Sequence, residues 1–428
     1  MNQPQRYAQQ IRTTCCIVGG GPAGIMLGLL LARAGVEVIA LEKHADFFRD
    51  FRGDTIHPST LELMHELGML DEVLRLPHQE LRRVKIKFDD EEIAGPDFSH
   101  LPTRCKFIAM MPQWDFLNFL ATQATRYSTF RLLMNTEATD LIEEGGRVVG
   151  VRAKTEQGEM NAYADLVVAA DGRSSIVRER AGMEVEDFGV PIDVLWFRVA
   201  KTAADTEPAL GRIRNGKILV TIDRGDYYQC GAIIRKCAFE GIKRRGLEAF
   251  REEIVSVAPF LRGAVGAIDD WDKVKLLTVQ VNRLRQWYRP GLLFIGDAAH
   301  AMSPAGGVGI NLAIQDAVAT ANLLAEKLRQ GNYDTDDLRR AQQRREWPAR
   351  MTQNIQVFIH RQMFGSRSDP ERALSFPWPV RAILWLLTPL LRRVAARVIG
   401  IGFRAEHIQT LENRSQGVVG NSGPGSAE

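Results

Sequence analysis

Two stretches of this chain share one pattern: an unbroken apolar run, a cluster of glycines, then apolar residues at helical spacing. The first is CCIVGGGPAGIMLGLLLA, Cys15 to Ala32. The second, Leu292 to Leu328, reads LLFIGDAAHAMSPAGGVGINLAIQDAVATANLLAEKL. A short apolar run ending at glycines predicts a buried strand, and apolar recurrence every three to four residues after them predicts a helix. Each stretch therefore predicts strand, tight turn and helix. Around the first, Gly35 stops the helix and VEVIALE, Val36 to Glu42, makes a second strand, giving a βαβ unit.

The same reading continues downstream. TLELMHELGM is a helix that Ser59 could cap, after a turn-like stretch from Asp54. MPQWDFLNFLATQA starts another helix, with Gln113 in its first turn. ADLVVAADGRSSIVRE, Ala164 to Glu179, is an apolar strand broken at Asp171-Gly172, with Ser174 as the expected cap of a helix beyond it. Between Val194 and Val281 the period changes to two. DVLWFRVAK, KILVTID, DYYQCGAII and DKVKLLTVQV predict an antiparallel sheet, with RRVKIKF (Arg82 to Phe88) as an added strand and LEAFREEIVSVA as a short helix. Alternation sends Leu195, Phe197 and Val199 to one face, and Trp196 and Arg198 to the other. After Gly331, LRRAQQRREWPARMTQNIQVFIHRQMF predicts a polar helix with an apolar stripe.

Length adds a bound: 428 residues exceed one ordinary core, so two or three domains are expected. With 55 basic against 52 acidic residues, a net charge of +3 makes no electrostatic case for nucleic acid. Cys15, Cys16, Cys105, Cys230 and Cys237 show no CxxC spacing, so no metal or redox site is expected and a reducing cytoplasm is the simplest location. The charge-free Cys15–Ala32 run is long enough to resemble a membrane span. Its central glycines and proline, with no strongly basic region before it, favour the strand–turn–helix reading.

The chemistry lies in the glycines. Gly19, Gly21 and Gly24 form GxGxxG between a strand and a helix, and Glu42 closes the second strand about 20 residues on, as a dinucleotide fingerprint requires. Gly19 permits the tight turn, Gly21 lets backbone reach a pyrophosphate, and Gly24 lets helix and strand pack closely. Glu42 can accept from a ribose diol and would repel a 2′-phosphate, so the site suits an unphosphorylated adenosine. The motif alone does not separate NAD from FAD. At the second crossing, Gly306, Gly307 and Gly309 clear side chains from a helix start.

Together these motifs are distinctive: GxGxxG with Glu42, FRG at Arg52, AADGRSS, and GDAAHAMSPAGGVGINLAIQDA. In this order, over roughly Cys15 to Leu328, they resemble the single-component (class A) flavoprotein monooxygenases, which include para-hydroxybenzoate hydroxylase and the hydroxylases of ubiquinone biosynthesis. IGFRAEHI, Ile401 to Ile408, is similar to a feature of some bacterial members. The resemblance implies an α/β protein with a Rossmann-like FAD-binding domain (11–75, 106–180 and 283–332). Into it is inserted an antiparallel-sheet substrate domain (76–105 and 181–282). A C-terminal helical region (333–413) and a disordered tail (414–428) complete the chain.

It also implies roles. FAD is held at Gly19, Gly21, Ala23, Gly24, Glu42 and Lys43, with Arg52 and Gln113 near its phosphates and ribityl chain. Asp171 and Gly172 serve both FAD and NAD(P)H. Gly296 and Asp297 hold the ribityl chain, Asp297 at a hydroxyl. Gly307, Gly309, Ile310 and Asn311 lie along the flavin ring, where the positive end of the helix stabilises charge on reduction. Pro304 sits near the point of oxygen reaction, and His300 is a packed or capping histidine rather than a base. Hydride from NAD(P)H, then O2, would give a flavin hydroperoxide that oxygenates an aromatic, quinone-like or polyketide-like small molecule. Trp196, Phe197 and Tyr228 are candidate substrate contacts.

Two alternatives keep the cofactor fold: a flavin-dependent reductase of a lipophilic, prenyl-type substrate, and a non-catalytic nicotinamide-binding sensor. The halogenase motif WxWxIP is absent. The greasy segment 377–403, with its arginines, either packs on the core and caps the cavity or makes a peripheral contact with the inner membrane surface.

Overall fold

A computed structural model of the chain describes residues 9–48, 55–89, 91–201, 210–364 and 390–412. Arg52, residues 377–389 and the tail from 413 onward lie outside the described residues.

The strand Gln9–Val18 is the centre of a mostly parallel sheet. It pairs in parallel with Val38–Leu41 on one side and Gly158–Ala169 on the other. Leu292–Phe294 continues the sheet beyond Gly158–Ala169, and Phe130–Leu133 continues it beyond Val38–Leu41. A strand buried on both faces should read as a continuous apolar run, and these do. Cys15, Ile17, Val38, Ala40, Leu166 and Val168 pack on one face; Cys16, Val18, Ile39, Leu41, Val167 and Ala169 pack on the other. Both cysteines are buried, and burial pushes the Cys16 thiol up to about 12.

The helix Pro22–Arg33 (α1) lies on the first face, and Ala23 through Ala32 are all buried. A helix enclosed on every side is apolar all round, which is why this run imitates a membrane span. Gly35 (φ +84°) ends it in the left-handed region. The second crossing gives a 22-residue helix, Gly309–Gln330 (α2), packed against α1. Over Ala305–Gln330 the chain is long and apolar enough to cross a bilayer, yet most of that window is buried inside the protein.

The second sheet has seven strands. Its order is Lys275–Leu277, Ile192–Ala200, Tyr227–Arg235, Lys217–Asp223, Gly211–Arg214, Arg83–Phe88 and Glu91–Asp97. All neighbours are antiparallel except Gly211–Arg214 with Arg83–Phe88, a parallel pair that the chain can make because these strands are distant in sequence. Alternation sorts its faces. Leu195, Phe197, Val199, Leu219, Tyr228 and Cys230 pack with the helix Leu247–Val257. On the opposite face Trp196, Val220 and Ile222 meet Phe98, Leu101, Ile108 and Met110.

The chain closes with Thr335–Phe364 (α3) and a helix over 390–400 (α4). Ala396 and Ile399 of α4 pack into the Trp196 cluster, so the second half of α4 is anchored on the core. Three local expectations need correction. Ser59 does not cap its helix, which starts at Pro58 with His57 as N-cap. The helix after Asp171 is capped by Ser175, whose Oγ accepts from the Arg178 N–H, not by Ser174. The buried side of α3 is largely polar in its second half, where Gln353, Gln356 and His360 face inward while Ile355, Phe358 and Ile359 are exposed.

Candidate active site

Strand register builds the site. Val18 sits opposite Leu41 and Ala169, and Ala169 sits opposite Phe294. The segments beyond these ends therefore emerge side by side at the carboxyl edge of the sheet: Gly19–Gly24, Glu42, Asp171–Arg173 and Gly296–Asp297. Ligands of open α/β sheets bind outside this edge.

Contacts join the four. The Glu42 carboxylate, only 8% exposed, accepts the Gly20 N–H at 3.0 Å and the His44 N–H at 3.1 Å. A Cβ on Gly19 would come 2.4 Å from the Ala170 carbonyl oxygen, and Gly19 has φ +109°. A Cβ on Gly24 would come 1.9 Å from the Gly19 oxygen. Neither position admits any other residue without moving backbone. Asp297 pairs with Arg173 at 3.1 Å, and Arg178 donates to the Ala298 carbonyl at 3.4 Å. Gly296 (φ +59°) donates its N–H to Asp316 and packs beside Ala23. Lys43 is exposed just past Glu42, and Gln113 opens the helix Gln113–Ala124, half-buried.

Do these residues fit a dinucleotide? Gly21 would place a Cβ against nothing within 4 Å, so the turn is open in front of α1 while closed behind. The N-cap of α1 is Gly21, which has no side chain to fold back on the first-turn N–H groups, as an anion site needs. Asp171 Oδ1 and one terminal nitrogen of Arg173 are enclosed yet have no hydrogen-bond partner among the described residues. Burial pushes the Asp171 carboxyl above its ordinary range, against the bonds from Ser175 and the Val177 N–H. A cradle of this shape with unpartnered polar atoms fits FAD.

At the second turn, Gly306 (φ +80°) and Gly307 (φ +65°) take the left-handed region before α2, whose N-cap, Val308, also lacks a side-chain bond. Gly309 has open space in front, and Ile310 is buried. A Cβ on Gly307 would meet the Thr55 hydroxyl at 2.5 Å. Asn311 is committed elsewhere: its Oδ1 accepts from the hydroxyls of Ser59 and Thr60 at 2.7 and 2.8 Å. Pro304 is half-buried in a loop held by α3, where Gln356 bonds Ser303 N–H, the Ser303 carbonyl and the Ala305 carbonyl.

Of the three proposed substrate contacts, only Trp196 lies on the sheet face that packs with Met110, Ala396 and Ile399. Phe197 and Tyr228 point to the other face, where Phe197 meets Phe250 edge-on at 5.6 Å and Tyr228 meets Phe260 at 5.5 Å. The period of two that separates Trp196 from its neighbour excludes Phe197. His300 is 1% exposed, its Nε2 lies 2.5 Å from Asp316, and its ring packs on Trp287. Asp316 also accepts from buried Arg345, and the His300 ring and the Arg345 guanidinium hold its carboxyl below the usual range against the desolvation of full burial.

Sequence reasoning missed three contributors. Arg173 lies within AADGRSS, where a cation two residues past Asp171 was the available signal. Thr55, whose hydroxyl donates to the Gly307 carbonyl, and His57, whose Nε2 lies 3.0 Å from it, carried no signal. Nor did the reach of 399–412 across the molecule, which ties Ile399 to His57 and Glu406 to Gln315, Arg344 and Arg345.

The family described as FAD binding domain matches residues 12–354. A 6-methylpretetramide 4-monooxygenase of Streptomyces rimosus is 32% identical over 414 residues, covering 96% of each chain. A rifampicin monooxygenase of Rhodococcus hoagii is 29% identical over 70% of this chain and 61% of its own length. Among solved structures, the p-nitrophenol 4-monooxygenase PnpA of Pseudomonas putida superposes with a TM-score of 0.73 at 20% identity, covering 91% of this chain and 96% of PnpA. The OxyS anhydrotetracycline hydroxylase of Streptomyces rimosus gives 0.72 at 22%, covering 91% and 76%.

The chain belongs to the FAD binding domain family, among the class A flavin monooxygenases. It is an FAD-dependent oxidoreductase of the monooxygenase type.

Proposed function

We propose that this chain uses NAD(P)H and O2 to hydroxylate an aromatic, polyketide-like small molecule of several fused rings. The observation that carries the reading is the alignment of four motif segments at one sheet edge, set by the register of Val18, Leu41, Ala169 and Phe294. The choice of substrate class is supported by the full-length likeness to a relative named for 6-methylpretetramide.

FAD, when bound, supplies the hydride acceptance and oxygen activation that side chains lack. The residues of the chain do the rest. Glu42 offers its carboxylate to the adenosine ribose. The α1 N-terminus would receive the pyrophosphate, where a helix terminus contributes up to about 2 kcal/mol for a partly buried anion. Asp297, steadied by Arg173, is set to accept from the ribityl chain. The Gly306–Ile310 backbone and the positive end of α2 favour negative charge on the ring edge. Trp196, Val220, Ile222 and Met110 pack with Ala396 from α4 in one apolar cluster, which beside the ring would exclude water from the zone of oxygen transfer.

The test is NADPH and NADH oxidation by the FAD-loaded protein, followed with O2 uptake and product mass, against phenols, quinones and polycyclic polyketides. A product 16 mass units heavier with a fused-ring polyketide supports the reading. Reduction of substrate without O2 uptake, or no turnover with any panel member, overturns it.

A further inference from the structure

The ring of His57 sits where one neutral imidazole cannot satisfy its neighbours. Nδ1 lies 2.7 Å from the Ile399 carbonyl oxygen, and Nε2 lies 3.0 Å from the Gly307 carbonyl oxygen. A neutral ring has one N–H, so it donates to one carbonyl and turns a lone pair on the other. Only the imidazolium donates to both. Gly307 also accepts from the Thr55 hydroxyl at 2.9 Å, whereas the contact to Ile399 is the shorter of the two ring contacts. The neutral ring is therefore best read as Nδ1–H donating to Ile399, with Nε2 bare against Gly307.

A second proton is opposed by the surroundings. His57 is fully buried, and burial pushes it down to about 4. It is the N-cap of Pro58–Glu66 and adjoins the start of α2, so two positive helix ends face it. Ser59, Thr60 and Asn311 beside it are neutral and bonded to each other. Among the described residues no charged side chain adds to its titration; the two carbonyls alone favour its proton. A second proton there would need an anion close by.

We propose that His57 is a proton-responsive positioning residue of the glycine turn before α2: neutral beside oxidised FAD, it becomes the two-donor imidazolium when reduction places negative charge on that turn, and so clamps Gly307 to Ile399. The inference rests on the reading that the FAD ring lies along Gly306–Ile310. The balance is simple. The nicotinamide passes two electrons and one proton to FAD as hydride; in the test dithionite supplies the two electrons and solvent the proton. In both cases one further proton passes from solvent to Nε2.

The experiment uses FAD-loaded full-length protein with 15N-labelled histidine, read by NMR at pH 7.5 before and after dithionite reduction. Of the eight histidines, the one whose signals vanish in both H57Q and H57N is His57. It is expected to show one protonated and one bare nitrogen when oxidised, and two imidazolium-like nitrogens when reduced. The reduction potential gives an independent readout. One extra proton per two electrons shifts the equilibrium tenfold per pH unit, so the wild-type potential should fall about 30 mV per pH unit more steeply than that of H57Q. A His57 signature unchanged by reduction, together with equal slopes in wild type and variant, overturns this inference while leaving the FAD reading intact. A wild-type protein that retains no FAD overturns the reading and the inference together.

Discussion

At the scale of single residues, the site depends on polar groups whose partners are only partly supplied by protein. Asp297 and Arg173 pair while both remain about a quarter exposed, so the pair itself adds little to stability and is available to a ligand. Asp297→Ala should therefore leave thermal unfolding of FAD-free protein within about 0.5 kcal/mol of wild type. The same change should weaken FAD retention at least tenfold, measured by flavin absorbance after gel filtration. His57 has a different signature. Its proton is held less tightly in the folded FAD-free protein, at about 4, than in the unfolded chain, whose ordinary value is about 6.5. Below 6.5 the unfolded chain gains a proton that the folded chain refuses. Stability should thus fall as pH drops from 6.5 to 4, by on the order of 3 kcal/mol, and H57Q should flatten that decline in urea titrations.

At the scale of elements, α3 shows how a polar face is buried. Gln353 and Gln356 are one helical turn apart and point into the core, where their amides bond loop backbone at Ala301, Ser303 and Ala305. The periodicity of α3 was readable in sequence, but which face turned inward was not. Hydropathy assigns the inside to Ile355, Phe358 and Ile359, yet the loop before α2 exposes carbonyls and an N–H that only side-chain amides can satisfy. Gln356→Ala leaves those three groups without that partner. It should lower stability by about 2–4 kcal/mol in chemical denaturation and speed amide exchange at Ser303. Exchange rates unchanged there would show that water replaces the amide freely.

At the scale of the whole molecule, residues 399–412 act as a strap. Arg33 from α1 donates to the Thr410 carbonyl, Asn322 from α2 bonds both His407 and Gln409, and Arg344 and Arg345 from α3 hold Glu406. Arg345 also bonds Asp316, and all three charged groups are nearly inaccessible. Arg345→Met would leave two buried carboxylates short of a cation, so a loss of about 3–5 kcal/mol and detachment of the strap under limited proteolysis are expected. The strap carries α4, whose Leu390, Leu391 and Val394 are exposed beside Arg393. If a lipid surface is met here, flotation with anionic liposomes should fall in a Leu390→Asp/Val394→Asp variant; equal flotation of both proteins removes the membrane reading.

What the chain's order of residues determined alone was the chemistry and its local housing. GxGxxG, Glu42, Asp171, Asp297 and the Gly306–Gly309 turn were legible because each demands a residue type for a local reason: a φ only glycine tolerates, a helix start, or an acid at a strand end. The period of two likewise separated Trp196 from Leu195 and Phe197. Tertiary structure alone decided how these meet. Parallel register brought four turns separated by up to nearly 300 positions to one edge, the long-range fold turned Phe197 and Tyr228 toward the helix Leu247–Val257, and the strap brought Ile399 to His57. Such contacts join residues far apart along the chain, and no local periodicity records them: the free energy that selects them comes from burying the whole assembly at once.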